Sequence, residues 1–200
     1  VRAGRYLERH IRRISSLIKK RGDQCSIHRA MTSHGHWDHF SGLAYLQKNL
    51  GFDILATQKQ AFKLRSRKTY KKIFWAKSEI ANPAKTFFLR ITDNVWRSLF
   101  KEVYLRLLRI RFISGRIHIV RENEVLSIND ENWQLLSLPA HCDDDVALYN
   151  QSSGILLSGD IVLRSITTWL GPTSSNLERY MDTLENIKNL PNLNLILPAH

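Results

Sequence analysis

Ser33-His34-Gly35-His36-Trp37-Asp38-His39 packs four potential metal ligands into seven residues, among them three of the chain's eight histidines. In an extended segment residues i and i+2 project to the same side, so His34 and His36 can grip one cation together. Asp38 and His39 follow where the chain turns into a helix and can be aimed at a second cation nearby. A loop this short cannot complete two coordination shells, so partners are expected downstream, after strands. Three stand there: His141 in Leu138-Pro139-Ala140-His141, Asp160 in Leu157-Ser158-Gly159-Asp160, and His200 in Leu197-Pro198-Ala199-His200. Together the set has five His and two Asp, a borderline-hard donor group suited to two divalent ions, zinc first, with iron or manganese also compatible.

The pattern around the loop predicts alternating strands and helices. Arg5 to Arg21 has helical spacing, with Tyr6, Leu7, Ile11, Ile14, Leu17 and Ile18 on one stripe, and Gly22-Asp23 ends it. Residues 26–32 read as a buried strand, 41–49 as a helix capped by Ser41 and stopped by Gly51, and 52–57 as a second strand. Residues 58–78 form a basic helix, Asn82-Pro83 a break, and Val95, Trp96, Leu99, Phe100, Val103, Tyr104, Leu107 and Leu108 a core-facing helical stripe. Strands are expected at 116–120, 124–128, 133–138, 146–150 and 154–158. A helix capped by Asn176 then runs to about Asn189, and a last strand covers 193–197. This order is that of an α/β fold.

At 200 residues, 43% of them hydrophobic, the chain can bury a core of ordinary domain size; it is neither a disordered tail nor a disulfide scaffold. No stretch approaches 18 consecutive apolar residues, so no membrane span is expected. Cys25 and Cys142 are far apart and have no CxxC partner, which suits a reducing compartment and a cytoplasmic location. The net charge of +12 is unevenly spread: residues 57–116 hold sixteen Lys/Arg against three Asp/Glu, and residues 117–200 hold four against eleven. A basic segment of this kind attracts anionic partners, nucleic acid among them, or is simply a solvated face.

The HxHxDH loop followed in order by separate His, Asp and His ligands resembles the hallmark of the metallo-β-lactamase-fold hydrolases. The resemblance runs from about Ile27 to His200 and is to the glyoxalase II-like branch rather than to true β-lactamases. It implies an αββα sandwich in a single domain over residues 1–200, with residues 58–115 as a helical insertion or cap. It also implies that His34, His36 and His141 hold one metal, that Asp38, His39 and His200 hold the other, and that Asp160 bridges both. Three departures stand out. The strands that open the family's N-terminal half have no counterpart before Arg5, so Val1–His200 is expected to be a piece of a longer protein. The chain also ends on the last ligand, short of any helices that would bind a carrier group. After His141, where many relatives have HxxGH, the run is His141-Cys142-Asp143-Asp144-Asp145, without the second His. Cys142 is expected to be a small buried residue, Asp143 to Asp145 a solvated turn, and His10, His28 and His118 ordinary packing or surface groups.

Two cations about 3.5–4 Å apart can hold a bridging water, lower its pKa toward neutrality and so supply a hydroxide for hydrolysis. One of them polarises the substrate oxygen, and Asp38 is placed to handle the proton. Neither a GxSxG nor a GxxxxGK[ST] motif competes. The expected substrate is a small acyl compound (thioester, ester or lactone). The alternative is a nucleic-acid phosphodiester guided by the basic segment.

Overall fold

A computed structural model describes residues 28–74, 99–100, 102–103, 105–107, 110–171 and 175–199, with isolated positions 9, 12–13, 16 and 20. Those isolated positions are helical and exposed, where the spacing over 5–21 puts its polar face. In chain order the elements are β1 (Arg29–Met31), α1 (Trp37–Phe40), α2 (Leu43–Leu50), β2 (Asp53–Ala56), α3 (Gln58–Arg65), α4 (Arg67–Phe74), β3 (Ile117–Ile119), β4 (Val125–Ile128), β5 (Glu131–Ser137), β6 (Val146–Asn150), β7 (Ile155–Gly159), α5 (Leu177–Lys188) and β8 (Leu195–Pro198).

The strands form two sheets. β1-β2-β3 is parallel throughout, and β4-β5-β6-β7-β8 is antiparallel except for the parallel β7–β8 pair. Strand alternation then sorts side chains into three apolar layers. Ile54 and Ala56 pack with Phe40, Leu64, Tyr70 and Leu105 beneath the helices. Leu55, between them, turns to the other side and meets Val120, Leu135 and Val146. Ala147, Tyr149 and Leu156 form the third layer with Ile187 of α5. Helix, sheet, sheet, helix is the αββα order. The middle layer opens beside β7 and β8 into a cavity of about 370 Å³ that touches Met31, Leu157, Leu197 and His39.

Three local expectations are corrected. Ser41 does not cap α2: its backbone N–H bonds to Trp37 O and closes α1, and Gly42 precedes α2 without a side-chain cap. Gly51 does end α2, in the left-handed conformation at φ 69°. The helix expected over 58–78 divides at Ser66, whose extended backbone separates α3 from α4, and its last residues, 75–78, lie outside the described residues. α3 starts on a reciprocal capping box, Thr57 accepting from the Gln60 backbone while the Gln60 side chain accepts from the Thr57 backbone.

The third correction concerns the stripe over 95–108. Val95, Trp96, Tyr104 and Leu108 lie outside the described residues. The described positions between 99 and 107 are helical, but Leu99, Phe100, Val103 and Leu107 are at least half exposed and Leu105 is fully buried. The helix is turned so that Leu105 enters the layer with Phe40 and Tyr70, and Glu102, one turn earlier, meets Arg67 and Lys71 of α4. Those two cations hold the Glu102 carboxyl down at about 2. Leu105 in the apolar layer and the pairing of Glu102 with Arg67 and Lys71 both go with the observed rotation, the buried leucine contributing more than ion pairs that solvent still reaches.

Candidate metal centre

The candidate ligands come from strand ends. β1 runs into the 33–39 loop, β5 into His141 and β7 into Asp160. Gly159 makes the last approach fit: its φ is +59°, and a Cβ there would come within 2.6 Å of the Ser33 Cβ. Val146 N–H donates to Ser33 O at 2.8 Å and joins the two sheets beside the loop.

Five of the seven expected ligands converge. His34 Nε2 and His141 Nε2 each lie 2.9 Å from His36 Nδ1. Asp160 Oδ2 stands 3.2 Å from His39 Nε2, 3.9 Å from His141 Nε2 and 4.0 Å from His34 Nε2, a position between the two halves of the cluster. Asp38 is in the first turn of α1 at the rim, its Oδ2 4.0 Å from His39 Nε2 and its side chain 42% exposed. His200 lies outside the described residues. Ala199, before it, donates its N–H to Gly159 O at 3.0 Å, beside Asp160. Of the histidines expected to be bystanders, His118 is partly exposed and 3.3 Å from Asp53, His28 is exposed, and His10 is outside the described residues.

The hydrogen bonding tests whether this donor set suits a cation. His141 Nδ1 is 2.6 Å from Trp169 O. A carbonyl only accepts, so the ring proton is on Nδ1 and Nε2 turns a lone pair toward His36. His36 Nδ1 can carry one ring hydrogen between these nitrogens, and with that hydrogen displaced the same three nitrogens can turn lone pairs on a cation. Burial, followed by the neighbouring imidazoles, pushes His36 down from 6.5 to about 3 and depresses His34 further, so neither ring is charged by protonation. The residues present therefore fit a divalent cation. His34, His36 and His141 could hold one, with Cys142 Sγ in the same group, and His34, His39 and Asp160 form a second.

The turn after His141 departs from its expected character. Asp143 is half-buried, but Asp144 is 3% exposed and Asp145 1%. Asp145 Oδ2 accepts from Cys142 N–H at 2.5 Å and Ala140 N–H at 3.4 Å, and its Oδ1 is 3.7 Å from His34 Nδ1. Burial holds both carboxyls above their ordinary range, most strongly Asp145; for Asp144 the neighbouring Lys63 opposes it. The reason is that the turn folds inward to cap its own backbone and to meet Lys63 of α3. Cys142 is buried as expected, yet its sulfur is 3.2 Å from His36 Nε2 and so belongs to the centre. Sequence reasoning missed Gln60 and Lys63, whose only local signal is the capping box at Thr57.

A family model described as the metallo-beta-lactamase superfamily matches residues 3–200. The human acyl-coenzyme A thioesterase MBLAC2 is 23% identical over 176 residues, which are 86% of this chain and 55% of that protein. The chain thus spans little more than half the length of this curated relative. The crystal structure of the metallo-beta-lactamase family protein TTHA1429 from Thermus thermophilus superposes with a TM-score of 0.61 at 16% identity, over 86% of this chain and 54% of that one. That of TTHA1623, in a di-iron-bound form, gives 0.60 at 16% identity over 93% and 76%. Such identities speak for the fold alone, and the fold agrees with the two sheets, the outer helices and the ligand loops at their edge. The match over nearly the whole sequence settles the family: this chain belongs to the metallo-beta-lactamase superfamily.

Proposed function

We propose that the chain carries the catalytic centre of a metal-dependent hydrolase acting on a small acyl substrate, a thioester, ester or lactone. The observation that carries this reading is the convergence of His34 Nε2, His36 Nδ1 and His141 Nε2, with Asp160 Oδ2 between them and His39. His34, His36 and His141 would hold one divalent ion; Asp38, His39 and His200 would hold a second, with Asp160 shared. Zinc suits this set, and the di-iron form of TTHA1623 makes iron a second choice. When bound, the metal supplies Lewis acidity toward the acyl oxygen and lowers the pKa of water. The chain's own residues keep the donors ready: Trp169 O fixes the His141 tautomer, and Asp160 reaches both halves of the cluster. Asp38, whose side chain is 42% exposed at the rim, would carry a proton between solvent and the leaving group.

Support for an acyl substrate comes from the name of the human relative and from how several of the described basic residues are used. Lys63, Arg67, Lys71 and Arg106 are engaged by Asp143, Asp144 and Glu102 rather than offered to a phosphate backbone. Arg65, Lys68 and Lys72 remain exposed and suit an anionic carrier group on a thioester. No described helix is long and apolar enough to cross a membrane. A reducing compartment, such as the cytoplasm, suits the thiol beside the donors. The test is turnover of a thioester, an ester, a lactone and a phosphodiester at low and high salt, with and without chelator. We expect chelator-sensitive cleavage of an acyl substrate with a shallow salt response. Cleavage of the phosphodiester alone, falling steeply with salt, would overturn the acyl reading.

A further inference from the structure

We propose that Gln60 and Lys63 of α3 are positioning residues of the metal centre, clamping the turn that carries His141 to the loop that carries His34 and His36. The proposal rests on the metal-centre reading above. Gln60 is fully buried, and the two N–H donors of its side-chain amide reach three carbonyls, one of them in a shared bond: Thr32 O at 3.3 Å, Ser33 O at 3.1 Å and Asp144 O at 3.1 Å. The first two belong to the entry of the histidine loop and the third to the turn after His141. Its Oε1 is occupied by Thr57 N–H at 3.0 Å, so the capping box that starts α3 also fixes which way the amide points.

One turn along α3, Lys63 Nζ donates to Asp143 Oδ1 at 2.6 Å and to Asp144 Oδ1 at 2.7 Å. Burial alone would push this ammonium down, but the two aspartates outweigh it and hold it above its ordinary value. It is therefore a fixed charge, neutralised locally, which matters because a bare ammonium here would repel a cation held by His34 and His36. The clamp also explains a residue inside the motif. A Cβ on Gly35 would come within 2.8 Å of both Asp144 Oδ2 and Lys63 Cδ, so the residue between His34 and His36 must lack a side chain for the clamp to close. Because His34 and His36 come from one side of this joint and His141 from the other, its geometry sets the space in which a metal is held. Outer groups of this kind typically change metal affinity by about 10–100-fold when removed.

The experiment titrates zinc into the full chain against a chromophoric chelator and records the visible absorption of the cobalt(II)-loaded protein, for wild type, Gln60→Met, Gly35→Ala and the charge-balanced pair Lys63→Met/Asp144→Asn. The pair avoids leaving Asp144 buried without a counter-charge, and Gly35→Ala keeps every donor and charge while forcing the clamp open. We expect zinc affinity to fall about 10–100-fold with an altered cobalt spectrum in variants whose circular dichroism matches wild type. A merely structural role would lower Tm without moving the cobalt bands. Folded variants with wild-type affinity and spectrum would overturn the clamp while leaving the metal centre standing. A wild type that binds neither metal would overturn the metal centre itself.

Discussion

His36 shows how much one side chain is asked to do here. Its Nδ1 faces the ring nitrogens of two other histidines at 2.9 Å, and Cys142 closes the other side of the ring. Replacing it by alanine removes the common contact of that half of the cluster, and Asp160→Ala removes the oxygen between the halves. Each variant should lose metal and turnover together, as measured by elemental analysis beside an acyl-hydrolysis assay; stoichiometric metal with retained activity in either would contradict the assignment. His36 also links stability to pH. Its imidazole is held down at about 3 when folded, against 6.5 when free, so between those values the unfolded chain binds more protons. Its contribution is complete above pH 6.5 and is lost as pH falls toward 3. Thermal unfolding of the metal-free protein should therefore fall more steeply from about pH 7.5 to about pH 5 in wild type than in His36→Gln.

Among the elements, the helical residues 99–107 discriminate best between a pattern and its use. Leu99, Phe100, Val103 and Leu107 keep helical spacing, yet among the described residues from 99 to 107 the buried one is Leu105, off that stripe. Leu105→Ala should destabilise by about 2–5 kcal/mol, and Leu107→Ala, at 72% exposure, should fall within about 0.5 kcal/mol of wild type, as read by chemical denaturation. Equal losses would mean that the face at Leu107 is covered too. The strands were more legible, because β2, β5 and β6 each carry apolar side chains on both sides and no rotation can hide that. α3 was only half legible. Its basic composition was plain, but Gln60 and Lys63 find their partners far along the chain, at Thr32 and Asp143–Asp144, and no local spacing reports this.

For the whole molecule, the two sheets meet through Leu55, Val120, Leu135 and Val146, and the candidate ligands sit at the edge of that joint. Metal binding should therefore stabilise the assembly, not only the loops. A hundredfold excess of zinc over its dissociation constant should add about 2.7 kcal/mol, visible as a rise in Tm that a chelator reverses. A Tm indifferent to both would mean that the donors are not joined by a cation.

The order of the described strands and helices, and the place of the 33–39 loop, His141 and Asp160 after strands, were legible in the sequence alone, because both depend on spacing along the chain. Which face of the 99–107 helix is buried, and that Asp144 and Asp145 turn inward, was decided only by the tertiary structure. Burial and charge compensation depend on what arrives from elsewhere: Lys63 offsets the cost of burying Asp144, and the backbone N–H groups of Ala140 and Cys142 do the same for Asp145.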